Sequence, residues 1–329
     1  MTNNDTLTTT EVSKNQNLSS PEDQIQAIAQ QNSDGILDVP VPQFSNETAL
    51  IENGSLKIQR ATIPITYTQI GPLKVLEGDT LLPTEVVKGK AAVDSFIGSR
   101  PWTNGEIPVV INSDIPNKKR IFDALTYVDS VTPIKFVNVK TDSSGNILNS
   151  NFLRFVNGGS GGCYTFPGMV FPNDGLFTRP FTMEGIRHNG FYGDFKYHGQ
   201  PIVIADWCLF GSVVHELGHV LGLWHEQTRC DRGEHIIINE NNIKRGQRSQ
   251  YIALCDPNQP SKSPTTLGLP YDYCSIMHYP RGGGNAIDPN RPIMIPTKVV
   301  AGCKDIGQRV GFSPTDISAI ERVYAFVER

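Results

Sequence analysis

Residues 215–226, which read HELGHVLGLWHE, constrain this chain more than any other stretch of it. On a helix of about 3.6 residues per turn, His215 and His219 lie one turn apart and face the same side. Gly222 permits the left-handed backbone that ends a helix, so His225 can return from a different direction. The spacing therefore predicts three imidazoles that converge on one zinc ion and leave its fourth position to water, as in catalytic zinc sites.

Glu216 follows the first histidine directly and is placed to take a proton from that water. The alternative is an amphipathic core helix with incidental histidines, because apolar side chains fill the same stretch. These apolar residues are Val213, Val214, Leu217, Val220 and Leu221. Both descriptions can hold together, but buried imidazoles without partners cost free energy. The motif therefore favours a metal site on a buried helix.

The motif resembles that of the metzincin zinc peptidases, and further stretches resemble the astacin family within that clan. These stretches are Glu226 with residues 227–229, the Met-turn segment 271–279, residues 306–309, residues 313–317, and residues 102–108 near the start of the family's mature domain. The resemblance covers residues 91–329 apart from an aromatic-rich insertion at 164–200. That insertion either shapes substrate choice or, as we favour, packs as a satellite cluster.

The resemblance implies an α+β fold of the metzincin type. Such a fold has an upper twisted sheet with two helices, one of them the zinc helix, and a loop-rich lower half that ends in a C-terminal helix. Residue patterns agree, since strand-forming residues occupy 107–112, 134–139 and 152–156. Apolar residues recur at helical spacing over 121–128. Ser313 as N-cap and Pro314 at the first helical position predict the last helix.

The N-terminal part divides the chain by composition. Residues 1–35 are rich in Thr, Asn, Ser and Gln, which predicts a flexible tail. Residues 36–90 show short strand-like alternation and precede a stretch that resembles the family's mature N-terminus, so we interpret them as a pro-segment. The catalytic domain then spans 91–329, with an upper half at 91–222 and a lower half at 223–329.

Leu76, Glu77, Gly78 and Asp79 resemble the family's pro-segment motif, although Leu76 stands where the family commonly has Phe. The resemblance implies that the Asp79 carboxylate sits on the zinc, displaces its water and keeps a precursor latent. The alternative is a simple Gly-Asp turn between extended pieces.

A basic residue, Lys90, stands before Ala91 as in a processing site. We hypothesise that cleavage after Lys90 frees Ala91, whose ammonium becomes buried near Glu226. The alternative is that Glu226 is a solvated surface carboxylate.

Two residues of the Met-turn segment take roles from the resemblance. Met277 is expected to fill the gap below the imidazoles, where an ordinary core methionine would differ little. Tyr279 is expected to bind zinc in the resting enzyme and then to swing away and donate a hydrogen bond to the tetrahedral oxyanion. An ordinary buried tyrosine is the alternative. Pro280 replaces a glycine that often follows in the family, which would stiffen the swing.

Six cysteines allow 15 pairings, among which sequence cannot choose. The resemblance favours Cys163 with Cys208, and a second cysteine pair typical of the family is missing. Cys230 with Cys255 and Cys274 with Cys303 is one option for the rest. An even count suggests disulfides in an exported protein.

A net charge of −4 and a pI near 6.0 exclude the basic field of a nucleic-acid-binding protein, and no apolar run approaches a membrane span. We expect a monomer that acts on protein or peptide substrates outside the cell. No signal peptide is visible, so a non-classical route, such as that of a bacterial effector, and a cytoplasmic location remain open.

The sequence therefore predicts a zinc-dependent endopeptidase that hydrolyses peptide bonds through a metal-activated water and is made as a latent precursor. A catalytically silent peptide-binding module on the same fold is the alternative. Glu216 argues against it, because binding alone needs no base. Glu226 and Tyr279 argue against other metzincin branches.

Overall fold

A computed structural model describes residues 50–58, 61–70, 73–82, 92–97, 101–144, 147–149, 151–159, 161–169, 181–182, 196–197, 199–255 and 266–325. The tail at 1–35, the Lys90 cleavage site with Ala91, and most of the insertion at 164–200 lie outside these residues. The predictions made for those parts therefore stay predictions.

The described residues form fourteen strands and three α-helices, joined in the lower half by short 3-10 turns. The strands are β1 (Leu50–Ile58), β2 (Ala61–Ile70), β3 (Leu73–Leu76), β4 (Thr80–Leu82), β5 (Ala92–Ile97), β6 (Glu106–Ile111), β7 (Lys135–Asn138), β8 (Leu153–Asn157), β9 (Tyr164–Thr165), β10 (Phe181–Thr182), β11 (Lys196–Tyr197), β12 (Gln200–Ile204), β13 (Ile236–Ile238) and β14 (Met294–Pro296). The helices are α1 (Lys119–Val131), α2 (Phe210–Val220) and α3 (Pro314–Tyr324).

Ten of these strands form one mixed sheet in the order β5-β1-β2-β3-β4-β9-β12-β8-β6-β7. The strands β7, β6, β8 and β12 run parallel, and β9 is antiparallel to β12. Strand β4 then joins β9 in parallel through the pair Thr80 and Thr165. The α+β class expected from the sequence is confirmed, but the N-terminal strands also extend the upper sheet, which the sequence patterns did not indicate.

The main hydrophobic core lies between this sheet and the helices α1 and α2. Ile121 and Val128 of α1 pack there with Val213 and Leu217 of α2, all fully buried. The buried Trp102 donates its Nε1–H to the carbonyl of Val220 at 3.1 Å, which satisfies one of the orphan carbonyls at the end of α2. The zinc-motif helix is therefore fixed along its length and at its C-terminus.

Helix α3 begins at the N-cap Ser313 that the sequence predicted, and the structure adds a capping box there. The Ser313 hydroxyl accepts from the backbone N–H of Asp316 at 2.9 Å, and the Asp316 carboxylate accepts from the Ser313 N–H at 2.9 Å. The same carboxylate accepts from the Ser275 hydroxyl at 2.6 Å and from the Ile276 N–H at 2.9 Å. The first turn of α3 thus holds the segment that leads to Met277.

Loss of this cap has a measurable cost. We expect Ser313→Ala to lower the free energy of unfolding by about 1 kcal/mol, because an N-cap hydroxyl that satisfies a helix N–H contributes about that much. The measurement is urea denaturation of the full chain. The control is Ser143→Ala, which alters an exposed turn. Equal denaturation midpoints for the two variants would contradict the role assigned to the cap.

Three disulfides join the cysteines as Cys163–Cys208, Cys230–Cys255 and Cys274–Cys303. The first links the loop before β9 to the turn before α2, and the other two close loops of the lower half. Within the described ranges, no helix has the length and apolar character that a membrane crossing requires.

Candidate metal centre

Helix α2 carries two of the candidate ligands into the interior. His215 and His219 are 3% and 0% exposed, and the helix ends where Gly222 adopts a left-handed φ of 98°. After this turn the chain returns, and His225, 1% exposed, faces the other two rings. The ring centroids of the three histidines lie 4.7–5.3 Å apart. The structure therefore brings together the three histidines that the motif singled out.

Each of these rings has its Nδ1 atom against an oxygen. His215 Nδ1 lies 2.8 Å from the carbonyl of Ile276, and His219 Nδ1 lies 2.9 Å from the carbonyl of Leu223. His225 Nδ1 lies 2.7 Å from Glu77 Oε2. Because carbonyl and carboxylate oxygens accept hydrogen bonds, Nδ1 carries the proton in each ring. The three Nε2 atoms are thus directed at a common point, the arrangement that ligating histidines have.

The spacing of the ligand atoms fits zinc. His225 Nε2 lies 3.3 Å from His215 Nε2 and 3.0 Å from Asp79 Oδ2. Asp79 Oδ2 lies 3.4 Å from His215 Nε2, and Asp79 Oδ1 lies 3.7 Å from His219 Nε2. A tetrahedron of ligands about 2.0–2.1 Å from zinc has edges of about 3.3–3.4 Å. The Asp79 carboxylate therefore lies with the three histidines at the spacing that one shared zinc ion would require, and its assignment as a zinc ligand stays a prediction.

The polar atoms at this point need a positive charge. His219 Nε2 is buried and has no hydrogen-bond partner among the described residues. Burial lowers the pKa of His215 to about 3, so this ring is neutral, the form that binds metals. Burial would also lower the pKa of His225, but the carboxylates of Asp79 and Glu77 raise it to about 9. A divalent cation would supply the charge that these carboxylates favour, so one zinc ion suits the donor set.

Glu216 lies beside this centre. It is 2% exposed, and its Oε2 atom is buried without a hydrogen-bond partner among the described residues. Burial and the neighbouring Asp79 carboxylate hold the pKa of Glu216 well above its usual range. A carboxyl group with raised proton affinity and one oxygen without a partner in the described part of the chain suits the transfer of a proton.

Met277 lies below the helix that carries the first two ligands. A Cβ atom added to Gly218 would lie 2.5 Å from Met277 Sδ, so the thioether packs directly against the backbone between His215 and His219. The backbone of Met277 also accepts the N–H of Glu226 at 3.2 Å. Met277 thus packs against the helix between the two candidate ligands, and its role in supporting the metal site stays a prediction.

Tyr279 stands next to the third ligand. Its ring centroid lies 4.7 Å from that of His225, and its hydroxyl donates to the backbone carbonyl of Glu77. Burial, followed by the Asp79 and Glu77 carboxylates, raises the pKa of Tyr279 well above its usual range. In this structure the phenol therefore contacts the N-terminal segment, and the expectation that it binds zinc in the resting enzyme remains a prediction.

Glu226 faces groups of the lower half. Its side chain is 14% exposed, and Oε1 accepts from Arg229 Nη1 at 3.0 Å and from the Asp272 N–H at 2.8 Å. It is therefore a largely buried carboxylate rather than the solvated surface group considered as the alternative. Strand β5, which starts one residue after Ala91, pairs in parallel with β1 at the outer edge of the sheet. The described part of this uncleaved chain thus holds Glu226 with Arg229.

The structure adds two residues that the sequence patterns did not single out. Glu77 contacts His225, although it is 148 positions away in the chain. Arg309 Nη1 donates to the carbonyl of Ile276 at 2.8 Å and to that of His278 at 3.1 Å, and the first carbonyl also accepts from His215. In the sequence, Glu77 stands beside the Gly-Asp turn and Arg309 lies in residues 306–309. Neither position indicates which residue its side chain contacts.

Comparison with known proteins points in the same direction as the geometry. Residues 190–325 match the family model described as Astacin, a peptidase family. Tolloid-like protein 1 of Homo sapiens is 30% identical over 232 residues, which is 68% of this chain and 19% of that protein. The dorsal-ventral patterning protein tolloid of Drosophila melanogaster is 32% identical over 231 residues, which is 68% of this chain and 18% of that protein.

A solved structure is similar as well. The high choriolytic enzyme 1, a hatching enzyme zinc-protease of the medaka fish Oryzias latipes, superposes with a TM-score of 0.52 at 28% identity. The match covers 71% of this chain and 98% of that one. In contrast, the chain spans 19%, 31% and 18% of the lengths of Tolloid-like protein 1, Protein SpAN of Strongylocentrotus purpuratus and tolloid.

Proposed function

This chain belongs to the astacin family of zinc peptidases, and on that premise we propose that it is an endopeptidase that cleaves protein substrates and is made as a latent precursor. The observation that carries the proposal is the convergence of His215, His219 and His225 with Asp79 on one buried point. The buried Glu216 beside that point supplies the base that a mere binding module would not need.

The residues divide the reaction between them. His215, His219 and His225 would hold a zinc ion, which when bound would supply Lewis-acid chemistry toward a water molecule and the scissile carbonyl. Glu216 accepts the proton of the attacking water and returns it to the leaving amine. The Tyr279 hydroxyl donates a hydrogen bond to the oxyanion. This negative charge exists only in the transition state and the tetrahedral species.

Strand β9 is the natural edge for an extended substrate. Without the N-terminal strands, β9 would be the last strand of the sheet next to β12. Its main chain already binds one extended segment, because the Thr165 N–H donates to the Asp79 carbonyl at 3.1 Å. After the N-terminal segment has left, a substrate peptide would use the backbone groups of β9 that this segment occupies, as in other cases of strand addition.

Latency follows from three contacts of the N-terminal segment. Asp79 fills the fourth ligand position, β4 covers the edge of β9, and the Glu77 carbonyl holds the Tyr279 hydroxyl. These contacts support the division of the chain into a pro-segment at 36–90 and a catalytic domain at 91–329. We place the switch between the two forms at a cut after Lys90.

Glu226 is the proposed anchor for the new N-terminus. Burial raises the pKa of its carboxyl to about 8, although Arg229 and the Asp272 N–H lower it. A further positive charge near this buried carboxyl, such as the Ala91 ammonium, would stabilise its ionised form. Strand β5 would have to leave β1 for this contact to form.

The location and assembly of the enzyme are part of the proposal. Three disulfides among the described residues favour an oxidising compartment, so we propose that the protein is exported and works outside the cell. We expect it to act as a monomer on proteins or peptides.

The test is controlled processing of the full chain. We expect brief treatment with a lysine-specific protease to give an active product whose N-terminal sequence starts at Ala91. That product should cut an unfolded protein at internal bonds, which mass spectrometry of the fragments would show. A start far from Ala91 would contradict the processing hypothesis alone. Binding of the unfolded protein without any cleavage would instead favour the silent peptide-binding module.

A further inference from the structure

The Nδ1 atoms of the three histidines, here called the outer nitrogens because they face away from the common point, have hydrogen-bond partners in different parts of the chain. His215 donates to the Ile276 carbonyl and His219 to the Leu223 carbonyl, and both acceptors are backbone groups of the catalytic domain. His225 alone donates to a side chain, the carboxylate of Glu77 at 2.7 Å. The third ligand therefore depends on a residue of the N-terminal segment for its orientation.

The position of Glu77 is highly specified. Its side chain is buried, 1% exposed, and its backbone has a left-handed φ of 55°, which is uncommon for a residue other than glycine. Gly78 follows with a φ of 90°, so the chain turns sharply between Glu77 and Asp79. This turn directs the carboxylates of both residues at His225, one at each ring nitrogen.

Glu77 also interacts with two further residues, Tyr279 and Arg232. Its carbonyl accepts the Tyr279 hydroxyl, and Arg232 lies near enough to act electrostatically on its carboxylate. Backbone strain at a buried, charged residue persists only where the surroundings determine it. A turn that served only to deliver Asp79 would not require a carboxylate at position 77.

We propose that Glu77 is a positioning residue for the metal: its carboxylate orients His225, so that the pro-segment retains zinc in the precursor as well as blocking it. The inference rests on the proposed function. A carboxylate on the outer nitrogen fixes the ring and raises the basicity of the inner nitrogen, which strengthens metal binding. When the segment leaves, His225 loses this partner, whereas His215 and His219 keep theirs. The precursor should therefore hold zinc more firmly than the processed enzyme.

The experiment compares zinc binding of full-length chains by competition with a chromogenic chelator. Loss of an outer partner typically lowers metal affinity by about 10–100-fold, so we expect Glu77→Ala to lower zinc affinity by that factor and to release zinc faster. Glu77→Gln keeps an acceptor without the charge and should fall between Glu77→Ala and the unsubstituted chain. Glu106→Gln, which changes an exposed glutamate, is the control and should bind zinc like the unsubstituted chain.

Further arms separate Glu77 from Asp79 and from folding. In an Asp79→Ala background, Glu77→Ala should still lower the affinity, because the two carboxylates act on different atoms. Cobalt in place of zinc should show a changed visible spectrum in Glu77→Ala, which a loss of stability alone would not produce. Both substitutions keep a Cβ at the left-handed position, so the thermal unfolding of the metal-free chains tests whether the fold is unchanged.

The outcomes are distinct. Affinities of Glu77→Ala and Glu77→Gln within twofold of the unsubstituted chain would overturn the inference and leave the zinc peptidase proposal intact. An unsubstituted chain that binds no zinc would contradict the proposed function, and this inference with it.

Discussion

Glu216→Gln lowers kcat/KM of the processed enzyme by about 10²–10⁴-fold, the range that general acid–base catalysis contributes. Glutamine has nearly the size of glutamate but cannot accept the proton of the attacking water. Because Glu216 is not among the residues whose ligand atoms converge at the centre, zinc stays bound. The measurement is cleavage of a fluorogenic peptide, with the zinc content determined on the same sample.

The control for this prediction is Glu240→Gln, which changes an exposed glutamate of the lower half. We expect it to leave kcat/KM within twofold of the unsubstituted enzyme. If Glu216→Gln kept full activity with zinc bound, the assignment of the base would be wrong. If it lost zinc, the loss of activity would report the metal instead of the base.

Asp79→Ala gives the full-length chain activity that the unsubstituted precursor lacks. Charge-assisted contacts contribute about 1.5–3 kcal/mol, and about 1.4 kcal/mol corresponds to a factor of ten, so the expected gain is about 10–100-fold. The gain stays below complete activation because the Asp79 carbonyl still accepts from Thr165 and β4 still covers β9. Cleavage of an unfolded protein by uncut, full-length chains is the measurement.

Asp114→Ala is the matched control, since it removes an exposed aspartate outside the centre and should leave the precursor latent. Once residues 1–90 are removed, the Asp79 variant and the unsubstituted enzyme are the same chain and should be equally active. An Asp79→Ala precursor that stays as inactive as the unsubstituted precursor would assign latency to the covered strand edge instead.

The sequence predicted those parts of the site that local geometry determines. The helical spacing of His215 and His219 and the turn at Gly222 place two ligands and reverse the chain, because both depend on neighbouring residues. The N-cap of α3 at Ser313 is local in the same way. The resemblance named Asp79, Met277 and Tyr279, which no periodicity would have connected to the histidines, and the zinc contacts expected of Asp79 and Tyr279 stay predictions.

Other parts depend on contacts between distant residues. Strand β9 has two residues, too few for an alternating pattern, and β4 meets it through one pair. The Glu77 carboxylate reaches His225 only because the N-terminal strands join the sheet beside β9. Such pairings follow from the assembled core, so a reading of propensity and spacing along the chain could not find them.

Gly218 separates the two ligands of the helix, and Met277 Sδ fills the space where its side chain would begin. A larger residue at this position would require the flexible thioether to shift, so a substitution between the two helix ligands would displace the methionine that packs against their helix.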